Sequence, residues 1–121
     1  MPRDARAEGF SRRHRFAVQG SFGAVLRNSR KLRSSHAVLH VTTGTPGSSR
    51  LGVALTRRLM PSSVERNALK RALREAFRRH PVKRAGLDLV VMFRSRVVPA
   101  ERRSVVDEVT GLFDQAALLQ T

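Results

Sequence analysis

Basic side chains recur at helical spacing between residues 63 and 79, and side chains of this kind bind phosphate groups. The set consists of Arg66, Lys70, Arg74 and Arg78, with Asn67 and Arg71 beside them. Intervals of four residues place like charges on one side of a helix, which destabilises it by about 0.2–0.5 kcal/mol per pair. A solvated face usually interleaves carboxylates, and here only Glu75 does so. The pattern therefore favours a nucleic-acid-binding face over a merely solvated one.

The same segment has the pattern of a single amphipathic helix. Its apolar positions share the opposite side of the helix: Ala68, Leu69, Ala72, Leu73 and Ala76. Ser62 or Ser63 can cap the start, and Glu65 lies in the first turn, where the helix dipole favours a negative charge. The dipeptide His80-Pro81 predicts the end of the helix.

The overall charge points to a polyanionic partner. The chain has 121 residues, a net charge of +15 and 40% hydrophobic residues, which suits one domain with a modest core. Such a charge repels itself unless RNA, DNA or an anionic membrane screens it. No apolar run approaches the roughly 18 residues needed to span a bilayer, and residues 1–15 lack the apolar core of a signal peptide. We therefore expect a soluble cytoplasmic protein without membrane contact.

Residues for catalysis by the protein itself are not evident. There is no cysteine, which excludes a disulfide framework and a thiol nucleophile. Carboxylates are few and scattered, with Asp88 predicted to stand alone. His36 and His40 are predicted to share a strand face with no carboxylate near them, so we expect neither a metal site nor an acid–base pair there. Glu75 is interpreted as a helical salt-bridge partner.

The N-terminal part divides into an arm and the start of a domain. Residues 1–20 are basic and aperiodic, and we interpret them as a flexible arm that includes Arg12 and Arg13. Ser21 can cap a short helix with Phe22 and Leu26 on one face. Residues 27–33 are predicted to form a basic loop. Residues 21–121 are predicted to form one RNA-binding domain.

Three apolar segments beyond this point predict strands. Residues 36–43 and 51–56 alternate and are predicted to form an antiparallel hairpin. Its outward set is small and uncharged, so an extended polymer or the short N-terminal helix could cover it. Residues 87–93 predict a central strand, and Pro99 suits the start of a last helix. Aromatic residues are scarce, which predicts binding through phosphates rather than base stacking.

A family resemblance rests on two adjacent segments. Residues 50–58 (RLGVALTRR) and 65–77 (ERNALKRALREAF) resemble the signature of the bacterial ribonuclease P protein component, in which a strand ending in two basic residues precedes a helix of pattern RNxxKRxxRE. The likeness extends over about residues 10 to 118. It implies an α/β (α+β) two-layer sandwich, a small mixed sheet with helices packed on it in the order α-β-β-(β)-α-β-α. It further implies a ribosomal protein S5 domain 2-like fold with a left-handed β-α-β crossover.

The resemblance also implies a function. The protein would be a subunit of ribonuclease P, the endonuclease that removes the 5′ leader of precursor tRNA. The RNA subunit would be the catalyst and would hold the Mg²⁺ ions. The residues implied to bind that RNA are Arg66, Asn67, Lys70, Arg71 and Arg74, and Arg78 continues the same side of the helix. The leader would lie on Phe22, Leu26 and His40, with Arg57 and Arg58 at the edge, and the arm residues Arg12 and Arg13 are assigned to the same site. We expect a monomer bound 1:1 to the RNA.

Some positions depart from the family pattern. Residues 60–63 (MPSS) replace a glycine-containing link, and the spacing from Arg58 to Arg66 is one residue longer than usual. Ala68 stands where the family usually has the second arginine of its Arg-Asn-Arg (RNR) motif, which begins here with Arg66-Asn67. Leu26 and His40 stand where aromatic side chains are common. These positions bear on the entry to the helix and on stacking with the leader.

Three other functions bear comparison with the sequence pattern, and the pattern argues against the last two. A structural RNA-binding protein, of ribosomal or chaperone type, would share the charge without needing a leader site. A protein-only nuclease would need the carboxylates that are missing. A DNA-binding helix-turn-helix would need a second helix shortly before the basic one.

Overall fold

The computed structural model describes residues 29–119, and the predicted arm and short N-terminal helix lie outside this range. The elements are β1 (Arg30–Arg33), β2 (Ala37–Thr43), β3 (Arg50–Ala54), α1 (Ser63–Arg78), β4 (Leu87–Phe93) and α2 (Arg102–Leu119). Single turns of 3-10 helix precede β4 (Pro81–Arg84) and α2 (Pro99–Glu101). The mixed α+β class is therefore confirmed. The crossover handedness and the S5 domain 2-like detail stay predictions.

The four strands form one mixed sheet in the order β1-β2-β4-β3. β2 pairs with β4 antiparallel, and β3 pairs with β4 parallel. The predicted hairpin of β2 with β3 is wrong, because β4 lies between them. A parallel pair needs a crossover connection, and α1 supplies it. The central place predicted for residues 87–93 is confirmed, and Val90 of that strand is fully buried.

The predicted basic loop after residue 27 is in part a strand. β1 lies at the edge of the sheet and pairs with β2 antiparallel, with Leu32 opposite Leu39. Three of its four residues are basic and exposed. Charged side chains are common on edge strands because they discourage pairing with another chain. Basic composition alone therefore suggested a loop where tertiary pairing makes a strand.

One face of the sheet packs against α1 and α2. α1 contributes Leu69, Leu73 and Phe77 to the core, and all three are fully buried. α2 contributes its own apolar stripe: Val105, Val109, Leu112, Phe113 and Ala116. The rings of Phe77 and Phe113 meet edge to face with centroids 5.9 Å apart. The two helices thus share one core, and the opposite side of α1 is left for other contacts.

Candidate nucleic-acid interface

The outer side of α1 carries the predicted basic residues. Ser62 caps this helix, its hydroxyl accepting from the Glu65 amide at 3.2 Å, as the sequence predicts. Asn67 and Arg71 are exposed, and Lys70 and Arg74 are half-buried. Helical periodicity places Asn67, Arg71 and Arg74 on the side away from the buried Leu69–Leu73–Phe77 stripe, and Lys70 at its flank. The helix therefore presents a polar, cationic face on a rigid element.

Arg66 uses its guanidinium within the protein. Its Nη1 donates to the carbonyls of both Met60 and Pro61, each at 2.9 Å. The side chain is half-buried, unlike those of Asn67 and Arg71. The predicted RNA-binding residues thus differ in how far they are engaged before any partner arrives.

Glu75 neutralises the C-terminal end of this face. It accepts from Arg78 Nε at 3.1 Å and from Arg79 Nε at 2.8 Å. Hydrogen bonding from Arg78, reinforced by the charges of Arg78 and Arg79, holds the pKa of Glu75 below its usual value. The structural role predicted for Glu75 is confirmed. Arg78, predicted to bind RNA, is ion-paired with Glu75 in the protein alone, as the i, i+3 spacing of the two residues allows.

A second group of cations gathers where β3 and β4 end. The two strands are parallel, so the loops that follow them lie at the same end of the sheet. Arg57 and Arg58 are exposed on the first loop, and Arg94 and Arg96 are exposed on the second. The Val97 amide donates to the Leu59 carbonyl at 3.4 Å, which joins the loops directly. Arg94 and Arg96 were not predicted as part of this group, because their place beside Arg57 and Arg58 depends on the parallel pairing of β3 with β4.

His40 lies at the centre of the sheet face opposite α1 and α2. It stands opposite Val90, which stands opposite Gly52. Its side chain was predicted to be at the surface, but the residue is only 8% exposed and its Nδ1 lies 2.9 Å from the Ser29 hydroxyl. Burial, and then the charges of Lys31 and Arg33, lower the pKa of His40 below its usual value. The imidazole is therefore neutral at pH 7.

Asp88 has an ion-pair partner that the sequence analysis did not predict. Arg50 binds it with two parallel hydrogen bonds, Nε to Oδ1 at 2.9 Å and Nη2 to Oδ2 at 2.7 Å. The pairing raises the pKa of Arg50 above its usual value. Gly44 packs so closely that an added Cβ would lie 2.6 Å from Asp88 Oδ1. This carboxylate is a structural partner, and the outward sheet face is less uniformly uncharged than predicted.

The structure brings the predicted site residues together only in part. Arg66, Asn67, Lys70, Arg71, Arg74 and Arg78 lie on α1, and the loop carrying Arg57 and Arg58 leads directly into that helix. His40 lies on the other face of the sheet. Phe22, Leu26, Arg12 and Arg13 lie outside the described residues.

Between residues 29 and 119 no group of three or more histidine and carboxylate side chains is placed to hold a metal ion. The helices of that range are also too short or too polar to cross a bilayer. The structure has a cationic helix packed on a small mixed sheet, and the carboxylates of that helix are engaged in internal ion pairs. It therefore belongs to a class of protein whose surface suits a polyanionic partner.

Comparison with known proteins identifies the family. The family model described as Ribonuclease P matches residues 10–117. The ribonuclease P protein component of Nitrosomonas europaea is 36% identical over 96 residues, covering 79% of this chain and 81% of that protein. That of Xanthomonas oryzae is 33% identical over 111 residues, covering 91% and 75%. The RNase P protein of Thermotoga maritima superposes with a TM-score of 0.70 at 26% identity, covering 84% of this chain and 96% of that one. The chain belongs to the ribonuclease P protein component family.

Proposed function

We propose that this protein is the protein subunit of ribonuclease P and that it promotes removal of the 5′ leader from precursor tRNA. Family membership over residues 10–117 supports the assignment. The observation that carries it is the outer face of α1, where Asn67 and Arg71 are exposed beside Lys70 and Arg74 on a rigid, capped helix. Such a face suits the phosphates of a folded RNA, since fixed cations release counterions without reordering the protein.

The catalytic RNA would bind along α1. The contacts we assign are Arg66, Asn67, Lys70, Arg71, Arg74 and Arg78. Asn67 and Arg71 are exposed, and Arg78, which is also exposed, would exchange part of its pairing with Glu75 for a phosphate. The RNA would hold the catalytic Mg²⁺, and the protein would act as one copy per RNA in the cytoplasm. Hydrolysis would therefore be a property of the complex.

The leader of the precursor tRNA would bind at the sheet. Arg57 and Arg58 stand exposed where β3 ends, and Arg94 and Arg96 extend the same cationic edge. The neutral His40 would form part of the floor, together with Phe22 and Leu26, and Arg12 and Arg13 would add charge. A single strand held in this way is read by its backbone, so sequence preference in the leader should be weak.

Reconstitution tests the proposal. The protein is mixed with the cognate RNA subunit, Mg²⁺ and precursor tRNA at near-physiological salt, and cleavage is followed on a gel. Faster cleavage at the mature 5′ end supports the proposal. Equal cleavage without the protein contradicts it and favours a purely structural RNA-binding role. Cleavage by the protein alone would point to a nuclease site in the protein.

A further inference from the structure

The entry to α1 is held by one side chain. Arg66 stands one turn into the helix, and its Nη1 donates to two successive backbone carbonyls, those of Met60 and Pro61, each at 2.9 Å. Hydrogen bonds from a charged donor are about twice as strong as neutral ones. Arg66 therefore holds the end of the link between β3 and α1 in a fixed position relative to the helix.

The other side of this link is anchored in the core. The Met60 side chain is 2% exposed, and the amides of Leu59 and Met60 both donate to the Thr56 carbonyl, at 3.2 and 3.1 Å. Arg57 and Arg58 lie within that turn. Fixing the Met60 and Pro61 carbonyls against Arg66 thus fixes the two arginines of the loop relative to the helix.

A cation near the start of a helix needs a specific reason. The N-terminal end of the helix dipole is positive, so an arginine there is unfavourable unless acceptors surround it. Two carbonyls supply those acceptors. Ser62 accepts from the Glu65 amide, and Arg102 Nη1 lies 3.4 Å from Glu65 Oε1, which secures the same turn from two further directions.

We propose that Arg66 is a positioning residue, which acts by clamping the Met60–Pro61 link to α1 and so sets where the cationic face meets the RNA. The inference rests on the proposed function and revises the part assigned to Arg66 within it. If Arg66 were only a phosphate contact, its contribution to RNA affinity would be independent of the contributions of neighbouring residues. A clamp instead makes the contribution of Arg71 and of the Arg57–Arg58 loop depend on Arg66.

Amide hydrogen exchange on the free protein tests the clamp without RNA. Arg66→Ala is expected to speed exchange by about tenfold at the amides of Leu59, Met60 and Glu65, because the charge-assisted hydrogen bonds to the Met60 and Pro61 carbonyls are lost and the turns that carry these amides open more often. The amide of Leu73, in the buried middle of α1, should keep its rate and report that the fold persists. The matched variant Arg71→Ala removes the same charge from an exposed site and should leave all four rates unchanged. Unchanged rates at Leu59, Met60 and Glu65 in Arg66→Ala would overturn the proposal.

A double-mutant cycle tests the consequence for binding. Affinity for the RNA subunit is measured for Arg66→Ala, Arg71→Ala and both together. If the clamp operates, the fold loss in affinity caused by Arg71→Ala should be at least about threefold smaller in the Arg66→Ala background. The reason is that loss of the clamp has already displaced the Arg71 contact. If Arg66 and Arg71 were independent phosphate contacts, their fold losses in affinity would multiply in the double variant, and that result would overturn the proposal. The pair Arg71→Ala with Arg84→Ala, in which the second arginine lies beyond the end of α1, serves as the additive control.

The two proposals fail in distinguishable ways. Absence of RNA binding by the unmodified protein would refute the assignment to ribonuclease P. Normal RNA binding with multiplicative losses and unchanged exchange would refute the clamp alone.

Discussion

α1 and α2 pack on the same sheet face but present different outer surfaces. α1 carries five basic and two acidic residues, whereas α2 carries two basic and three acidic ones. Two of the acids of α2 bridge to other elements: Glu108 binds the turn between β1 and β2, and Asp114 Oδ1 lies 2.6 Å from His80 Nε2. Glu75 of α1, in contrast, pairs with arginines of its own segment. α2 uses its acidic residues to hold the fold together, whereas the outer face of α1 is predominantly cationic.

Glu108 shows how closely α2 is tied to the sheet. Its Oε2 accepts from the His36 amide at 2.7 Å and from the Ser34 hydroxyl, and its Oε1 lies 3.0 Å from His36 Nδ1. Burial by itself raises the pKa of Glu108, but the hydrogen bonds from Ser34 and His36 together hold it below its usual value. The hydrogen bond with Glu108 raises the pKa of His36, against a smaller lowering by burial. The prediction that no carboxylate lies near His36 is therefore wrong, because α2 packs against the turn before β2 and brings Glu108 to it. Charge on α2 thus contributes to folding.

The largest expected effect breaks the shared core. Phe113→Ala removes a fully buried ring that contacts Phe77 and lies edge to face with His80 at 5.7 Å. We expect a loss of about 3–5 kcal/mol in the free energy of unfolding, because the surrounding side chains relax only partly into the cavity that the missing ring leaves. Urea unfolding measures it. Gln115→Ala, at an exposed position of α2, should change the free energy by less than about 0.5 kcal/mol; a comparable loss there would contradict this explanation.

A smaller effect removes the link from α2 to the sheet. Glu108→Gln should lower the free energy of unfolding by about 2 kcal/mol, since a half-buried charged acceptor is replaced by a neutral one. Asp107→Asn makes the same change at the exposed neighbouring position and should have little effect. Equal effects of the two variants would show that net charge, rather than the Glu108 contacts, is responsible.

This link should also depend on pH. Because the pKa of His36 is raised, its contribution is complete below the unfolded value of about 6.5 and is lost as pH rises through the folded value. Because the pKa of Glu108 is lowered, its contribution is present above the unfolded value of about 4.5 and is lost as pH falls through the folded value. The stability difference between the unmodified protein and Glu108→Gln should therefore be largest between about pH 4.5 and 6.5. A difference that is flat with pH would argue against the pair.

The next effect concerns the cationic face of α1. Lys70→Ala and Arg74→Ala should each weaken binding of the RNA subunit and reduce the slope of log affinity against log salt by about 1. Arg84→Ala, outside that face, should leave the slope nearly unchanged. Titrations at several salt concentrations measure this. Unchanged slopes in both helix variants would place the phosphate contact elsewhere.

The smallest effect distinguishes arginines that pair with carboxylates of the protein from arginines that are available to RNA. Glu75→Gln releases Arg78 and Arg79 from their shared carboxylate. Exposed ion pairs contribute little to stability, so the unfolding midpoint should hardly move. RNA affinity should rise and its salt dependence should steepen, because two more cations become available. Weaker binding of the variant would mean that Glu75 orients the arginines for the RNA.

Local patterns were sufficient for much of the molecule. Periodicity, the Ser62 cap and the His80-Pro81 break located α1 nearly to the residue, because helix formation depends on neighbours three or four positions apart. Alternation located β2 and β3, and continuous apolarity located β4. The RNxxKRxxRE pattern was enough to indicate the family, since side chains at fixed helical intervals form the surface that the pattern describes.

The sequence by itself determined that a cationic helix would stand on an α+β core, and it determined the side of that helix that faces outward. Only the tertiary structure decided that β4 separates β2 from β3, that β1 is a strand, and that Arg94 and Arg96 join the edge formed by Arg57 and Arg58. It also decided which charges are engaged internally: Arg66 with the Met60–Pro61 link, Asp88 with Arg50, and Glu108 with the turn before β2. The physical reason is separation along the chain. Strand pairing and ion pairs between residues dozens of positions apart depend on the packing of the whole domain, and no local period encodes them.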